Sequence, residues 1–226
     1  WYTGRECDTE NEQEILAAVE NLARLHKVMH LKNVDEFERS FTAQPPLHTM
    51  RAQNTELKKV RSFIRRKNAK GDFEQQFLKD FPFYFEQAWE AQSKMEQKFG
   101  EKGIKESSQR GSVCHGDYDH HHVLITGYDM ATTDFACCRF DFQVIDLYRF
   151  MRKILEKQEW NQRLGMRMLE HYIKIRPLAG EERELLYLRM LYPEKFRKLA
   201  NYYYGGNKAW ISRRFYDKLS MLNRQR

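Results

Sequence analysis

Cys114-His115-Gly116-Asp117-Tyr118-Asp119-His120-His121-His122-Val123-Leu124-Ile125 is the stretch that decides the reading of this 226-residue chain. Thr133-Asp134-Phe135 and Ile145-Asp146-Leu147 follow it, so acidic residues stand at 117, 134 and 146, seventeen and then twelve positions apart. Residues 123–126 and 130–135, parted by Gly127-Tyr128-Asp129, predict a short β hairpin. Asp117 then lies on a loop leading into a strand, Asp134 where the hairpin ends, and Asp146 at the start of a helix.

A hairpin returns Asp134 to the neighbourhood of Asp117. Two carboxylates so placed suit phosphoryl transfer to a hydroxyl. One stands beside the acceptor oxygen, and the other supplies a hard oxygen ligand for Mg²⁺ beside the phosphates. Asp117 fits the first role, on a loop that a packed His115 and the small Gly116 hold rigid. Asp134 fits the second. Asp146 can cap its helix and brace the loop through backbone N–H groups. Plainer readings stand beside these: Asp117 and Asp134 can hold their own turns by backbone hydrogen bonds, and Asp146 can be a cap alone. His120, His121 and His122 suggest a metal cluster, yet three consecutive side chains on an extended backbone cannot all face one ion. A turn would have to gather two of them with His115 into a transition-metal site.

Outward from this centre the pattern is helical. Asp8 or Thr9 can cap a helix reaching about His30, with Ile15, Val19, Leu22, His26 and Met29 on one stripe. Residues 42–54, with Pro45-Pro46, read as a connector. A basic helix with Leu57, Val60 and Ile64 inside comes next, then Gly71 and a long helix from Asp72 that Pro82 bends or restarts. Phe85, Ala88, Gln92, Met95 and Phe99 line one face of it, and residues 100–111 read as a loop. A helix follows from Ile145, another carries Trp160, Leu164, Met168 and Tyr172 until Pro177, and three shorter ones centre on Leu185, Phe196 and Trp210.

Composition narrows the classes. With 41% hydrophobic and 14% aromatic residues the chain can build a core, so disorder is excluded as the default. Its apolar runs are too short for a bilayer, and no leader of signal-peptide type opens it. The first residue is Trp1 rather than Met, which suggests that a natural N-terminus is missing. The net charge of +7 gathers in Lys58, Lys59, Arg61, Arg65, Arg66, Lys67 and Lys70, a span without an acidic residue. That span is either a polyanion-binding strip or the solvated face of an amphipathic helix; without interleaved aromatics, nucleic acid is not the expected partner. Cys7, Cys114, Cys137 and Cys138 fit no disulfide framework, redox pair or zinc pattern, and reduced thiols in a cytoplasmic protein are the simplest account.

The chain resembles the aminoglycoside phosphotransferase and choline kinase-like (protein kinase-like) superfamily, and within it the CotS-type spore coat proteins. Besides 114–124 the resemblance rests on Gly4-Arg5-Glu6-Cys7-Asp8, Leu22-Ala23-Arg24-Leu25-His26, the run Asp146 to Lys157, Tyr192-Pro193-Glu194-Lys195-Phe196 and Asn201-Tyr202-Tyr203. It implies a mainly α protein with a small β hairpin, the C-terminal lobe of a kinase-like fold. In it residues 1–8 are a hinge remnant, 9–110 a helical region, 111–143 the catalytic-type loop and hairpin, and 144–226 the closing helices. The nucleotide-binding N-lobe would be absent, so Mg²⁺ and ATP are expected only with that missing part, and the segment alone would be inactive. By the same resemblance Asp117 takes the catalytic-base position with His115 beside it, Asp134 the main metal-ligand position and Asp146 a supporting one. His122 stands where such phosphotransferases carry a metal-binding Asn, which implies weakened Mg²⁺ binding there, with Asp119 an alternative oxygen. The implied function is ATP-dependent transfer to a hydroxyl-bearing substrate in a spore coat-associated protein, or else a degenerate pseudokinase-like coat protein that binds other coat proteins.

Overall fold

The computed structural model describes residues 3–30, 43, 45–100, 112–127, 129–205 and 213–224. The chain divides into two units, Trp1–Ala43 with Lys102–Tyr187, and Gln44–Glu101 with Leu188–Arg226. The helical region expected over 9–110 is thus shared between them.

In the first unit, β1 (Arg5–Glu6) leads into α1 (Glu12–Val28). The helix is capped by Asn11, whose side chain accepts from Gln13 N and Glu14 N, and not by Asp8 or Thr9. Asp8 is engaged earlier, accepting from Glu10 N in the preceding turn. The apolar stripe is as its spacing predicts: Ile15, Val19, Leu22 and His26 are buried, and Met29 is half-buried. β3 (Val123–Thr126) pairs with β4 (Asp129–Thr132) as an antiparallel hairpin, and β1 adds on the other edge of β3. Gly4 is required there, since a Cβ would meet Ile125 O at 2.6 Å. β2 (Val113–Cys114) and β5 (Arg139–Phe140) form a separate two-stranded ribbon. The second hairpin strand ends at Thr132; Asp134 and Phe135 belong to a following 3₁₀ turn, Phe135–Cys137.

α4 (Val144–Lys157) and α5 (Gln162–Ile175) complete this unit with the first part of α6 (Gly180–Leu191), and both pack on α1. Asn161 caps α5, so Trp160, expected within that helix, stands in the turn before it with φ +59°. Cys7 and Cys114 are buried, Cys138 is half-buried and Cys137 exposed; all four are free thiols.

In the second unit α2 (Pro46–Arg66) begins eight residues before the expected end of the 42–54 connector. Proline is tolerated in a helix's first turn, where its missing N–H has no partner to lose. Leu57, Val60 and Ile64 are buried beneath the exposed Lys58, Lys59, Arg65 and Arg66, the arrangement of a solvated amphipathic helix. α3 (Asp72–Phe99) runs through Pro82 unbroken. Phe77, Phe81 and Tyr84 pack on Phe196 of α7 (Glu194–Gly205) on both sides of that proline, with ring centroids 4.9, 6.4 and 4.5 Å away. Burial of such rings outweighs one lost helical hydrogen bond. Within the expected stripe Ala88, Met95 and Phe99 are buried, while Phe85 and Gln92 are half-buried. Buried Asn54 donates to Ala88 O and accepts from the Tyr192 hydroxyl. α8 (Arg213–Arg224) closes the unit through Asn223, which accepts from Tyr84 and donates to Asp80. The loop expected at 100–111, beyond Gly100, and the helix centre at Trp210 lie outside the described residues.

Candidate active site

The loop between β2 and β3 is anchored from below by Asp146, fully buried in the first turn of α4. Its Oδ2 accepts from His115 N at 2.7 Å and its Oδ1 from Gly116 N at 2.9 Å. It does not serve as the N-cap, a position held by Gln143. His26 Nε2 lies 3.2 Å from the same carboxylate, and its Nδ1 is 2.7 Å from the Tyr172 hydroxyl. Burial holds His26 below the ordinary histidine range despite Asp146, so the ring is neutral. Nε2–H then donates to Asp146, and Nδ1 accepts from Tyr172. Gln143 ties the end of α1 to β2, donating to His26 O, Met29 O and Val113 O.

Gly116 takes φ +82°, and a Cβ there would stand 2.0 Å from Cys137 O. Only glycine combines that backbone with that approach. His115 is fully buried, and both of its nitrogens are engaged by backbone. Nδ1 accepts from Asp117 N at 3.2 Å, and Nε2 donates to Thr133 O at 2.9 Å. A ring so occupied positions the loop.

His122 contacts both Asp117 and Asp134. The His122 Nδ1–H donates to Asp117 O at 2.7 Å, and Nε2 faces Asp134 Oδ2 at 3.5 Å. Asp117 is partly exposed with its Oδ1 buried, and the Asp134 side chain is 55% exposed. Asp134 adopts the left-handed conformation at φ +61°, and its Oδ1 accepts from Ala136 N. Its Oδ2 is thereby left facing His122. Donor atoms of Asp117, Asp119 and His122 lie within 4.8 Å of one another. His121 pairs with Glu6, and His120 lies 2.8 Å from Lys157 Nζ; these two rings lie against each other with centroids 3.9 Å apart, and neither shares the partners of His122.

Two cations missed by sequence reasoning complete the site. Arg149 Nη2 is 3.0 Å from Asp117 Oδ1, in ion-pair range but not aligned as a hydrogen bond, and Arg149 also donates to Gly116 O. Lys153 bonds Asp119 and stands 3.9 Å from Asp117. Burial pushes the Asp119 carboxyl up, but the Lys153 bond, the His121 amide and nearby His122 hold it below the ordinary range. The signal was there: Asp146, Arg149 and Lys153 are spaced three and four apart, one face of a helix.

The donor set tests the implied metal. Mg²⁺ is commonly held by one or two carboxylates plus substrate phosphates. Asp134, exposed and facing His122, offers one such carboxylate. Asp119 is engaged by Lys153, and His122 offers nitrogen, a donor better matched to transition ions. The residues fit a divalent ion held chiefly by Asp134, with less preference for Mg²⁺ than an all-oxygen site.

Among the described residues no helix is long and apolar enough to cross a membrane. Over its full length the chain superposes on an aminoglycoside phosphotransferase from Alicyclobacillus acidocaldarius with a TM-score of 0.85 at 18% identity, spanning 65% of that protein. The fold is therefore kinase-like, of the aminoglycoside phosphotransferase type, mainly helical with a small antiparallel sheet, as the motifs imply. The endospore coat-associated protein YutH of Bacillus subtilis is 25% identical over 140 residues, 61% of this chain and 40% of that protein. The family described as "Spore coat putative kinase YutH" matches residues 6–226. The chain belongs to that family of spore coat kinase-like proteins, in keeping with its resemblance to the CotS type.

Proposed function

We propose that this chain carries the acceptor side of a kinase-like phosphotransferase associated with the spore coat, transferring a phosphoryl group from ATP to a hydroxyl. The observation that supports this is Asp117 and His122 on a loop braced by Asp146, with Asp134 facing His122 from the turn after β4. Asp117 would receive the hydroxyl proton. Its loop is fixed by His115, Gly116 and Asp146, so the carboxylate needs little reorganisation when an acceptor arrives. Asp134, with His122 beside it, would hold a divalent ion that neutralises charge on the phosphates. Arg149 and Lys153 restrain the orientation of Asp117. The nucleotide would be gripped mainly by parts of the full-length protein outside this sequence.

In the full-length protein, ATP with Mn²⁺ or Mg²⁺ is expected to raise the Tm. Asp117→Asn is expected to cut turnover at least a hundredfold with little loss of stability, and His122→Asn to shift the metal preference toward Mg²⁺. Absence of any nucleotide-dependent thermal shift would sink the proposal.

The ion pair of Arg149 with Asp117, together with nitrogen at position 122, favours a second reading, a non-catalytic coat protein on a kinase-like fold. Asp117→Asn would then leave coat association unchanged while no phosphoryl transfer is detected in the wild type.

A further inference from the structure

Between α7 and α8, in the second unit, lies an open concavity of about 400 Å³ lined by Lys195, Lys198, Leu199, Tyr202, Arg214, Phe215 and Lys218. Four of these seven residues are cations, and none is acidic. Tyr202 stacks on Phe215 with centroids 4.7 Å apart and planes 26° from parallel. Tyr202 is 67% exposed, so much of it is presented to solvent beside the cations. Lys218 stands over Phe215 at 5.7 Å. Of the neighbouring acids, Glu194 bonds Arg197 at 2.6 Å and reaches Lys198 only at 4.0 Å, and Asp217 is exposed on α8 beside Lys218. Burial, then repulsion from Arg214 and Lys195, holds the Lys218 amine below the ordinary lysine range. Such crowding is relieved when an anion enters.

We propose that this concavity is a binding site for a phosphate group attached to a flat ring, the phosphate taken by Arg214 and the lysines and the ring laid on Tyr202. Arg214 offers a planar fork suited to phosphate oxygens, the lysines supply compact charge, and the aromatic pair supplies a stacking surface. One ring pair and one compact cluster of cations suit a single phosphorylated group. A nucleic-acid strand would require successive stacking platforms along a basic track. The site is independent of Asp117 and Asp134, and it stands whether or not the protein transfers phosphate.

Calorimetric titration of the full-length protein with phenyl phosphate at 0.15 M salt tests it. One saturable site is expected, several-fold tighter than for inorganic phosphate. Arg214→Glu with Lys218→Glu is expected to weaken binding at least tenfold, and Tyr202→Ala to erase the advantage of the ring. These positions lie toward the surface, so the variants should fold, which circular dichroism checks; Lys195→Gln with Lys198→Gln serves as a milder second pair. Charge reversal at Lys58 and Arg65 is expected to change binding less than twofold, since salt screens distant charges. AMP and a phosphotyrosyl peptide as further titrants separate a nucleotide source from a modified side chain. Phenyl phosphate affinity that is the same in the charge-reversed pair, or that falls equally in the Lys58 and Arg65 control, overturns the assignment.

Discussion

At Gly116 two constraints coincide, a left-handed backbone and a carbonyl 2.0 Å from where a Cβ would sit. Gly127 has a similar φ of +71° but nothing within 4 Å. Comparing alanine at the two positions separates the constraints. Gly127→Ala should cost about 1 kcal/mol from the backbone alone. Gly116→Ala should cost about 3 kcal/mol, because the loop must also move off Cys137. Urea unfolding of both variants checks this, and equal losses would show that the close approach is unimportant. The acidic residues at this scale were legible because their types and spacing carry the chemistry. Arg149 and Lys153 were not singled out, since a basic residue on a helix face is usually solvated and only the tertiary fold turns these two toward Asp117. His26 was legible as a core position but not as the partner of Asp146, a contact across 120 residues.

β1 and α1 are joined by one ion pair with two hydrogen bonds. Arg5 contacts both Glu14 oxygens, at 2.8 and 2.6 Å, and Glu14 also accepts from Asp8 N. The Arg5 bond foremost, against the opposing effect of burial and with help from the Asp8 amide, lowers the Glu14 carboxyl from 4.5 to about 2. The folded state thus binds this proton less readily than the unfolded chain does. The contribution to stability is fully present above pH 4.5 and is lost as the pH falls from 4.5 toward 2. Arg5→Gln should lower the Tm at pH 6 and leave it nearly unchanged relative to wild type near pH 2, provided both remain folded there. A Tm difference that is constant over pH 2 to 6 would refute the linkage. Existence and type of the long helices followed from periodicity, whereas their ends did not. Asn11 displaced Asp8 because local hydrogen bonds decide caps, α2 absorbed part of a supposed connector because Pro46 is harmless in a first turn, and α3 passed through Pro82 because packing on Phe196 compensates.

Charge is distributed unevenly over the molecule. The unit containing α2, α3, α7 and α8 holds 21 basic and 10 acidic residues, and the unit bearing the Asp117 loop holds 18 and 22. The net +7 is therefore the sum of a strongly basic unit and a mildly acidic one. Retention on a cation exchanger should be governed by the basic unit. Replacing Lys58, Lys59, Arg65 and Arg66 by Glu is expected to shorten retention strongly at 50 mM salt, with the difference fading above about 0.5 M as the Debye length shrinks. The secondary structure should persist, because all four side chains are exposed. Unchanged retention would show that the field is set elsewhere. Overall architecture was legible through motifs spread along the whole chain; the division into two units was not, because each is assembled from separated segments.

The four thiols have a practical corollary. Burial lifts the Cys7 sulfhydryl to about 12 and pushes the Cys114 sulfhydryl well above its ordinary value, so neither forms a thiolate near neutrality. Cys137 lies in the open on the turn whose carbonyl faces Gly116. A maleimide dye applied to the native protein should therefore attach first at Cys137, leaving a fluorescent reporter next to the loop where an acceptor would arrive, with no engineered attachment point needed.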